Sequence, residues 1–286
     1  MNSPVPDHHI HTWYSRCCPD IYDLRGILMQ LGPQNVPYYC VSDHVHWDDD
    51  DAYFSHHLDV ARELVAEGLD RPLFLGAELT MTDIHGRLPH LSVAHNHLSY
   101  CLVGDHYIPG TKISMDDIKG SQAILQSLLS QPELSELFET VTQMYVECVD
   151  QNHPQILAHP FSTFLRCQFP HFALLERFEV VCEACQGAGT AIEINNSEIQ
   201  RHVLHPKPPI CNHPDLLEAP EFYRRLIGIL KNYDVLFSVG SDAHRFTEIG
   251  HIDDAMVEVA RAGLPAKRML NFLDHPEKVH PFAIET

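Results

Sequence analysis

The sequence predicts an α/β protein, a parallel barrel of seven strands with helices between them. Three observations carry this expectation. Short apolar runs recur down the chain. Amphipathic stretches of helical period lie between most of them, and polar or ionisable side chains stand at the end of each run. In a closed parallel sheet those strand ends converge on one face, whereas an open sheet spreads them along a line.

The apolar runs are 5–10 ("VPDHHI"), 36–42 ("VPYYCVS"), 72–78 ("PLFLGAE"), 99–105 ("SYCLVGD"), 155–159 ("QILAH"), 190–195 ("TAIEIN") and 235–241 ("VLFSVGS"). Helical patterns cover 22–31, 52–67, 117–150, 172–188, 219–232 and 252–262. The stretch "HPKPPICNHP", 205–214, is too rich in proline for a helix or central strand. Residues 264–286 read as a helical turn or two and a tail. His9 and His11 close the first run, His44 the second, Glu78 the third, His106 the fourth and His159 the fifth. Asn195 and Asn196 close the sixth, and Asp242 and His244 the seventh.

Composition bounds the function. The 286 residues are 44% hydrophobic and 20% charged, which suits one domain over 1–286 with a single core. No apolar run reaches the roughly 18 residues of a membrane span. The N-terminus carries acid and histidine instead of a basic region followed by an apolar stretch, so no leader peptide is expected. Nine scattered cysteines, an odd number, read as reduced thiols of a cytoplasmic protein. "CEAC" at 182–185 has no second pair and reads as a helix face. A net charge of −20 argues against nucleic acid and anionic membranes as partners. The 22 histidines point to metal, since imidazole is the commonest metal ligand.

The spacing adds geometry. In "HIH" a strand period of two puts His9 and His11 on one face, where two imidazoles can share an ion. Glu78 can bridge two ions through its two oxygens, His106 and His159 can complete a second site, and Asp242 and His244 repeat the period of two. Imidazole with carboxylate suits Zn²⁺, Mn²⁺ or Fe²⁺.

These motifs resemble those of the PHP (polymerase and histidinol phosphatase) family. "DHHIHTWYS" is similar to its first motif, "CVSDHVHW" to its second and "LGAELT" to its G-x-E motif. "YCLVGDHYIPG" resembles the histidinol phosphatase strand, "ILAHP" the H-P motif and "VGSDAH" the last motif. "AIEINNSE" and "GSDAHRFTEIG" resemble a bacterial branch of trinuclear zinc phosphatases. The resemblance covers nearly the whole chain. It implies a distorted (β/α)7 barrel with two or three divalent ions at the carboxyl ends of the strands. The first ion would take His9, His11, Glu78 and Asp242; the second Glu78, His106 and His159; the third His44 and His244. Asp7 would orient His9 or His11, as ligating histidines need.

The sequence departs from the family at Arg16, Cys17 and Cys18, where the third site gains a further ligand. Cys17 falls where trinuclear members place a histidine, and a nearby cation favours its thiolate; the alternative is a weak third site filled by Asp20 or water. Arg16 reads as a phosphate contact or a solvated charge. Of the other histidines, His8 alternates out of the "HIH" face and reads as exposed or supporting, and His46, His56 and His57 read as surface residues. His95 and His97 rival His106, and one of His202, His205 and His213 could reach substrate.

Clustered divalent ions make hydroxide from water near neutral pH and neutralise phosphate oxygens. The expectation is therefore hydrolysis of a phosphate monoester of a small molecule, with L-histidinol phosphate the named possibility. Asp242 or His244 would relay a proton to the leaving alcohol. Arg166, Arg201 and Arg245 are candidate phosphate anchors, because guanidinium binds phosphate bidentately. The rival readings are a metal-dependent hydrolase of a phosphodiester, amide or ester, and a non-catalytic metal-binding module.

Overall fold

Six of the seven apolar runs become parallel strands: β1 (Tyr39–Val45), β2 (Leu73–Thr80), β3 (Tyr100–Gly104), β4 (Ile156–Leu157), β5 (Ala191–Asn195) and β6 (Phe237–Gly240). The structure, a computed structural model, describes residues 4–15, 17–18, 22–276 and 279–282. The strands pair in chain order from β1 to β6, and every pair is parallel.

The seventh run, 5–10, is not a regular strand, yet it bonds to both outer strands. The His8 amide donates to the Val239 carbonyl (3.2 Å) and the Asp242 amide to the His9 carbonyl (2.8 Å). On the other side the Ser42 amide donates to the Ile10 carbonyl at 2.8 Å. The sheet therefore curls so that β1 and β6 face the same segment. Regular pairing fails because Pro4 and Pro6 lack an amide hydrogen. The Asp7 carboxylate also takes the Ser241 amide for itself, at 2.8 Å.

Helices fill the connections: α1 (Leu24–Leu31), α2 (Phe54–Ala66), α3 (Ile118–Leu128), α4 (Pro132–Asn152), α5 (Ser162–Arg166), α6 (Ala173–Ala188), α7 (Asn196–Ile199), α8 (Ala219–Ile229) and α9 (Asp253–Ala262). The pattern at 117–150 is two helices, not one. Pro132 opens α4, and the preceding Gln131 is extended (φ −102°, ψ 145°), as a residue before proline prefers. Asp23 caps α1 and Asp117 caps α3, each accepting an amide of the first turn. Cys182 and Cys185 lie buried on the core face of α6. No helix among the described residues is long and apolar enough to cross a membrane.

Strand alternation divides the side chains. Tyr39 and Val41 of β1 pack with α1 and α2, while Cys40 joins an interior cluster with Phe74, Tyr100, Leu102 and Ile156. Phe272 closes that interior, its ring 4.9 Å from Tyr100 and 5.1 Å from Phe74. Burying each such ring contributes roughly 1.5–3 kcal/mol. His8, expected to be exposed or supporting, belongs to this floor. It is fully buried, its Nε2 stands 2.9 Å from the Tyr38 hydroxyl, and burial pushes its pKa down to about 3. His57, expected at the surface, is also buried. It reaches from α2 to the outward-facing Asp43 of β1 at 2.8 Å.

Candidate metal centre

The carboxyl ends of the strands bring the histidines together around Glu78. This residue sits on the interior face of β2, paired in register with His44 of β1, and is fully buried. Its Oε2 lies 2.7 Å from His44 Nδ1, 3.2 Å from His9 Nε2 and 3.6 Å from His11 Nε2. Its Oε1 lies 3.0 Å from His159 Nε2 and 3.2 Å from His106 Nε2. One carboxylate thus presents each oxygen to a different set of imidazoles. Asp242 joins the first set, with Oδ1 3.2 Å from His11 Nε2 and 3.7 Å from His9 Nε2.

Buried polar atoms test the fit to metal. His9 Nε2, His44 Nδ1 and Glu78 Oε2 are buried, stand close to one another, and lack hydrogen-bonding geometry. Buried polar atoms are normally satisfied, so such a group needs another partner. Divalent cations held among these donors would satisfy them. Donor atoms of His9, His11 and Glu78 fall within 4.8 Å of one another, as do those of His11, His44 and His244.

Charge agrees with this. Burial pushes the Glu78 carboxyl up, but His44, His9 and His106 outweigh it and hold the group well below the usual carboxylate range. Asp242 is likewise held down against burial by His244, His9 and His11. Burial depresses His44 and His159, but Glu78 raises them to about 10 and about 9. His11 falls to about 4 through burial and the neighbouring His44.

The outer nitrogens are held by residues with fixed roles. His11 Nδ1 meets Ser15 Oγ at 3.3 Å, and Ser15 donates its proton to Asp43 Oδ1 at 2.6 Å. The hydroxyl therefore accepts from His11 Nδ1–H, which leaves Nε2 without a proton and turned toward Asp242 and Glu78. Thr12 anchors to the same Asp43 through its amide (2.8 Å) and hydroxyl (2.6 Å). His9 Nδ1 meets Glu193 Oε1 at 2.9 Å. Asp7 was expected to orient one of these rings. Its carboxylate instead accepts backbone amides of His9 (3.3 Å), Ser241 (2.8 Å) and Gly250 (3.1 Å), so it sets the course of the chain rather than the imidazole.

Glu193 was missed by sequence reasoning. It points inward from β5, and its Oε2 accepts the His159 amide (3.1 Å) and the Asn195 side chain (3.1 Å). The signal was a carboxylate between isoleucines in "AIEIN", which alternation turns into the interior. His46 was also missed. It lines the cavity, and its Nδ1 lies 2.8 Å from Thr80 Oγ1.

Backbone strain accumulates here too. His159 (φ 27°) and Asp242 (φ 52°) are left-handed, a costly conformation for residues with a Cβ. Glycine makes the complementary space. A Cβ on Gly240 would collide with Glu193 Oε1 and His9 Cβ. Gly240→Ala should displace His9, cost about 1–3 kcal/mol through overpacking, and lower both the melting temperature and the bound metal. An alanine variant that loads metal like the parent would show that the site tolerates the shift.

The remaining candidates separate clearly. His44 and His244 lie with His11, and Cys17 stands beside both. Hydrogen bonds with Cys18, His244 and His44 hold the Cys17 thiol well below its usual range. His244 Nδ1 donates to the Asp242 carbonyl at 2.8 Å. His106 faces Glu78, while His95 is exposed and His97 lies on the loop before β3. Arg166 lines the cavity, and its Nε donates to Glu198 Oε1 at 2.7 Å. Arg201 Nη1 donates to the same oxygen, also at 2.7 Å. His202, at 3.0 Å from Glu198 Oε2, is buried beside this carboxylate and does not line the cavity. Arg245 is exposed and does not line the cavity. Arg16 and Asp20 lie outside the described residues.

The cavity above these groups measures about 610 Å³. It is lined by His44, His46, His106, His159, Asp242 and His244, together with Tyr14, Trp47 and Tyr53.

No protein-family model and no curated protein sequence matches the chain. Among solved structures it is similar to a histidinol phosphate phosphatase from Lactococcus lactis, complexed with zinc, L-histidinol and phosphate. That match has a TM-score of 0.56 at 12% identity over 91% of this chain and 94% of the other. It establishes a shared fold. Weaker likenesses are to a chain of archaeal ribonuclease P with mature tRNA (TM-score 0.43, 11% identity, 98% of this chain and 97% of that one) and to an uncharacterized protein (TM-score 0.41, 12% identity, 91% and 74%).

Proposed function

We propose that the chain is a metal-dependent phosphate monoesterase of the PHP type, acting on a small molecule from a single (β/α)7 barrel domain. The observation that carries this reading is the convergence of five imidazoles on the two oxygens of buried Glu78, three of which, His44, His106 and His159, also line the cavity that Arg166 lines. The shared fold with a zinc-bound histidinol phosphate phosphatase supports it and makes L-histidinol phosphate the first substrate to try. The nine unpaired cysteines support a reducing, cytoplasmic setting.

In this reading His9, His11, Glu78 and Asp242 hold one ion, Glu78, His106 and His159 a second, and His44, His244 and Cys17 a third. Zinc, manganese or iron suits the donor set. Bound ions would supply Lewis acidity and activated water at neutral pH. The protein's own residues do the rest. Ser15 and Glu193 fix the outer nitrogens of His11 and His9, so that Nε2 of each faces inward. Glu198 holds Arg166 through Nε, which leaves its terminal nitrogens for phosphate oxygens. Arg201, tied to the same oxygen, adds positive charge behind it. His244, a third exposed at the cavity wall, and Asp242 are placed to move a proton to the leaving alcohol.

The test is a panel of phosphate monoesters, including L-histidinol phosphate, with phosphodiesters, amides and carboxylic esters, on protein loaded with zinc or manganese. Turnover is expected on monoesters. Arg166→Ala should raise KM for them with a smaller effect on kcat. No turnover of any compound by protein that has bound metal would leave a non-catalytic module. Turnover of diesters alone would overturn the monoesterase.

A further inference from the structure

His46 stands two residues beyond His44, and "HVH" repeats the spacing of "HIH". The ring lies just past the end of β1, beside His44. It stacks on His44 (4.8 Å between centroids, 24°) and meets His106 edge-on (5.2 Å, 85°). Its donor atoms fall in one group with those of His44 and His106, which by itself would invite a reading as another ligand.

Thr80 decides otherwise. Its Oγ1 lies 2.8 Å from His46 Nδ1 and 2.8 Å from His106 Nδ1. A hydroxyl has one proton, so it donates to one ring and accepts from the other. His106 turns Nε2 to Glu78 Oε1 at 3.2 Å, the position of a ligand atom, and so carries its proton on Nδ1. That N–H donates to Thr80, and the Thr80 proton goes to His46 Nδ1. A neutral ring accepting at Nδ1 has its proton on Nε2. Among the described residues His46 makes its hydrogen bond through Nδ1, and the ring lines the cavity.

We propose that His46 is a further catalytic residue. It is a neutral imidazole that donates Nε2–H to a non-bridging phosphate oxygen of the substrate, in the proton pattern His106 Nδ1–H to Thr80 and Thr80 O–H to His46 Nδ1. The assignment rests on the phosphatase reading above and on His106 as a ligand. A ring protonated at Nε2 cannot ligate through that atom, so His46 binds the anion and not the ion.

Two amide isosteres test it on the zinc-loaded protein. Asn at 46 reaches the place of Nδ1 and keeps the Thr80 contact without a cavity donor. Gln at 46 places an N–H near Nε2. His46→Asn should bind inorganic phosphate about 10- to 100-fold more weakly, the scale of a lost hydrogen bond to a charged group, and lower kcat/KM by a similar factor. His46→Gln should stay within about threefold of the parent on both measures by the same reasoning. Both should retain the parent's zinc content. Imidazole ¹⁵N spectra of the loaded parent should show His46 protonated at Nε2 and His106 at Nδ1. Loss of zinc in His46→Asn would make His46 a ligand and overturn the proposal. So would unchanged phosphate binding in that variant, or the opposite tautomers. If the parent itself neither binds phosphate nor hydrolyses monoesters, the phosphatase reading falls as well. If the parent does both and the Asn variant matches it, the His46 assignment alone falls.

Discussion

Replacing Glu78 by alanine should lower bound metal and activity together. The two Glu78 oxygens face His9, His11 and His44 on one side and His106 and His159 on the other. Without that carboxylate the proposed first and second ions lose a shared ligand, and the buried imidazoles lose the charge that offsets their crowding. Partners of metal ligands typically cost 10- to 100-fold when removed, so a bridging ligand should exceed about 100-fold in kcat/KM. Elemental analysis should show at least one ion fewer than in the parent, while circular dichroism keeps the parent's helical signal. Glu193→Gln offers the graded comparison: it keeps the side chain's shape and removes the charge that faces His9 Nδ1, the His159 amide and the Asn195 side chain. A Glu78→Ala protein that keeps its metal and its activity would remove the bridge from the centre.

Metal uptake should also release protons. Burial alone would lower His44 and His159, but Glu78 lifts them to about 10 and about 9. At pH 7 both rings are therefore protonated before metal enters, whereas a ligating imidazole is neutral. Glu78 and Asp242 are already ionised and give up nothing. Loading at pH 7 should thus expel about two protons or more. Burial depresses His9, but Glu193, Glu78 and Asp242 outweigh it and raise its pKa well above the usual range, so its proton adds to the count. Affinity should rise with pH from 7 through about 10 and level off only above that, once these groups are neutral in the metal-free protein. Calorimetry in buffers of different ionisation enthalpy reads the proton count directly, and His159→Asn should reduce it by one. Uptake that releases no protons and does not change with pH would show the rings to be neutral beforehand.

Much of this centre was legible in the sequence because strand chemistry is local. Alternation places His9 with His11 and Asp242 with His244, and an apolar run ending in a polar residue marks where a strand meets solvent. Six of the seven runs accordingly become strands, and His106 and His159 meet the Oε1 oxygen of Glu78. The exceptions have particular causes. Prolines 4 and 6 and the carboxylate of Asp7 prevent regular pairing in the first segment, so alternation misplaces His8, which the aromatic floor buries. His57 was read as surface because Asp43, its partner, is distant in sequence and faces outward from β1. His46 carried a usable signal in "HVH", but its place beyond the strand made it look like loop surface.

The sequence by itself determined the type and order of the elements and which residue types end each strand. These follow from side-chain period and from the fixed preferences of proline, glycine and the capping residues. Only the tertiary structure decided which nitrogen of each histidine faces the centre, that Glu193 and not Asp7 holds the His9 ring, and that Arg166 and not Arg245 enters the cavity. Those choices depend on contacts between strand ends far apart in the chain. A hydrogen bond between residues 9 and 193 leaves no periodic trace in either segment, because its geometry exists only after the sheet has curled.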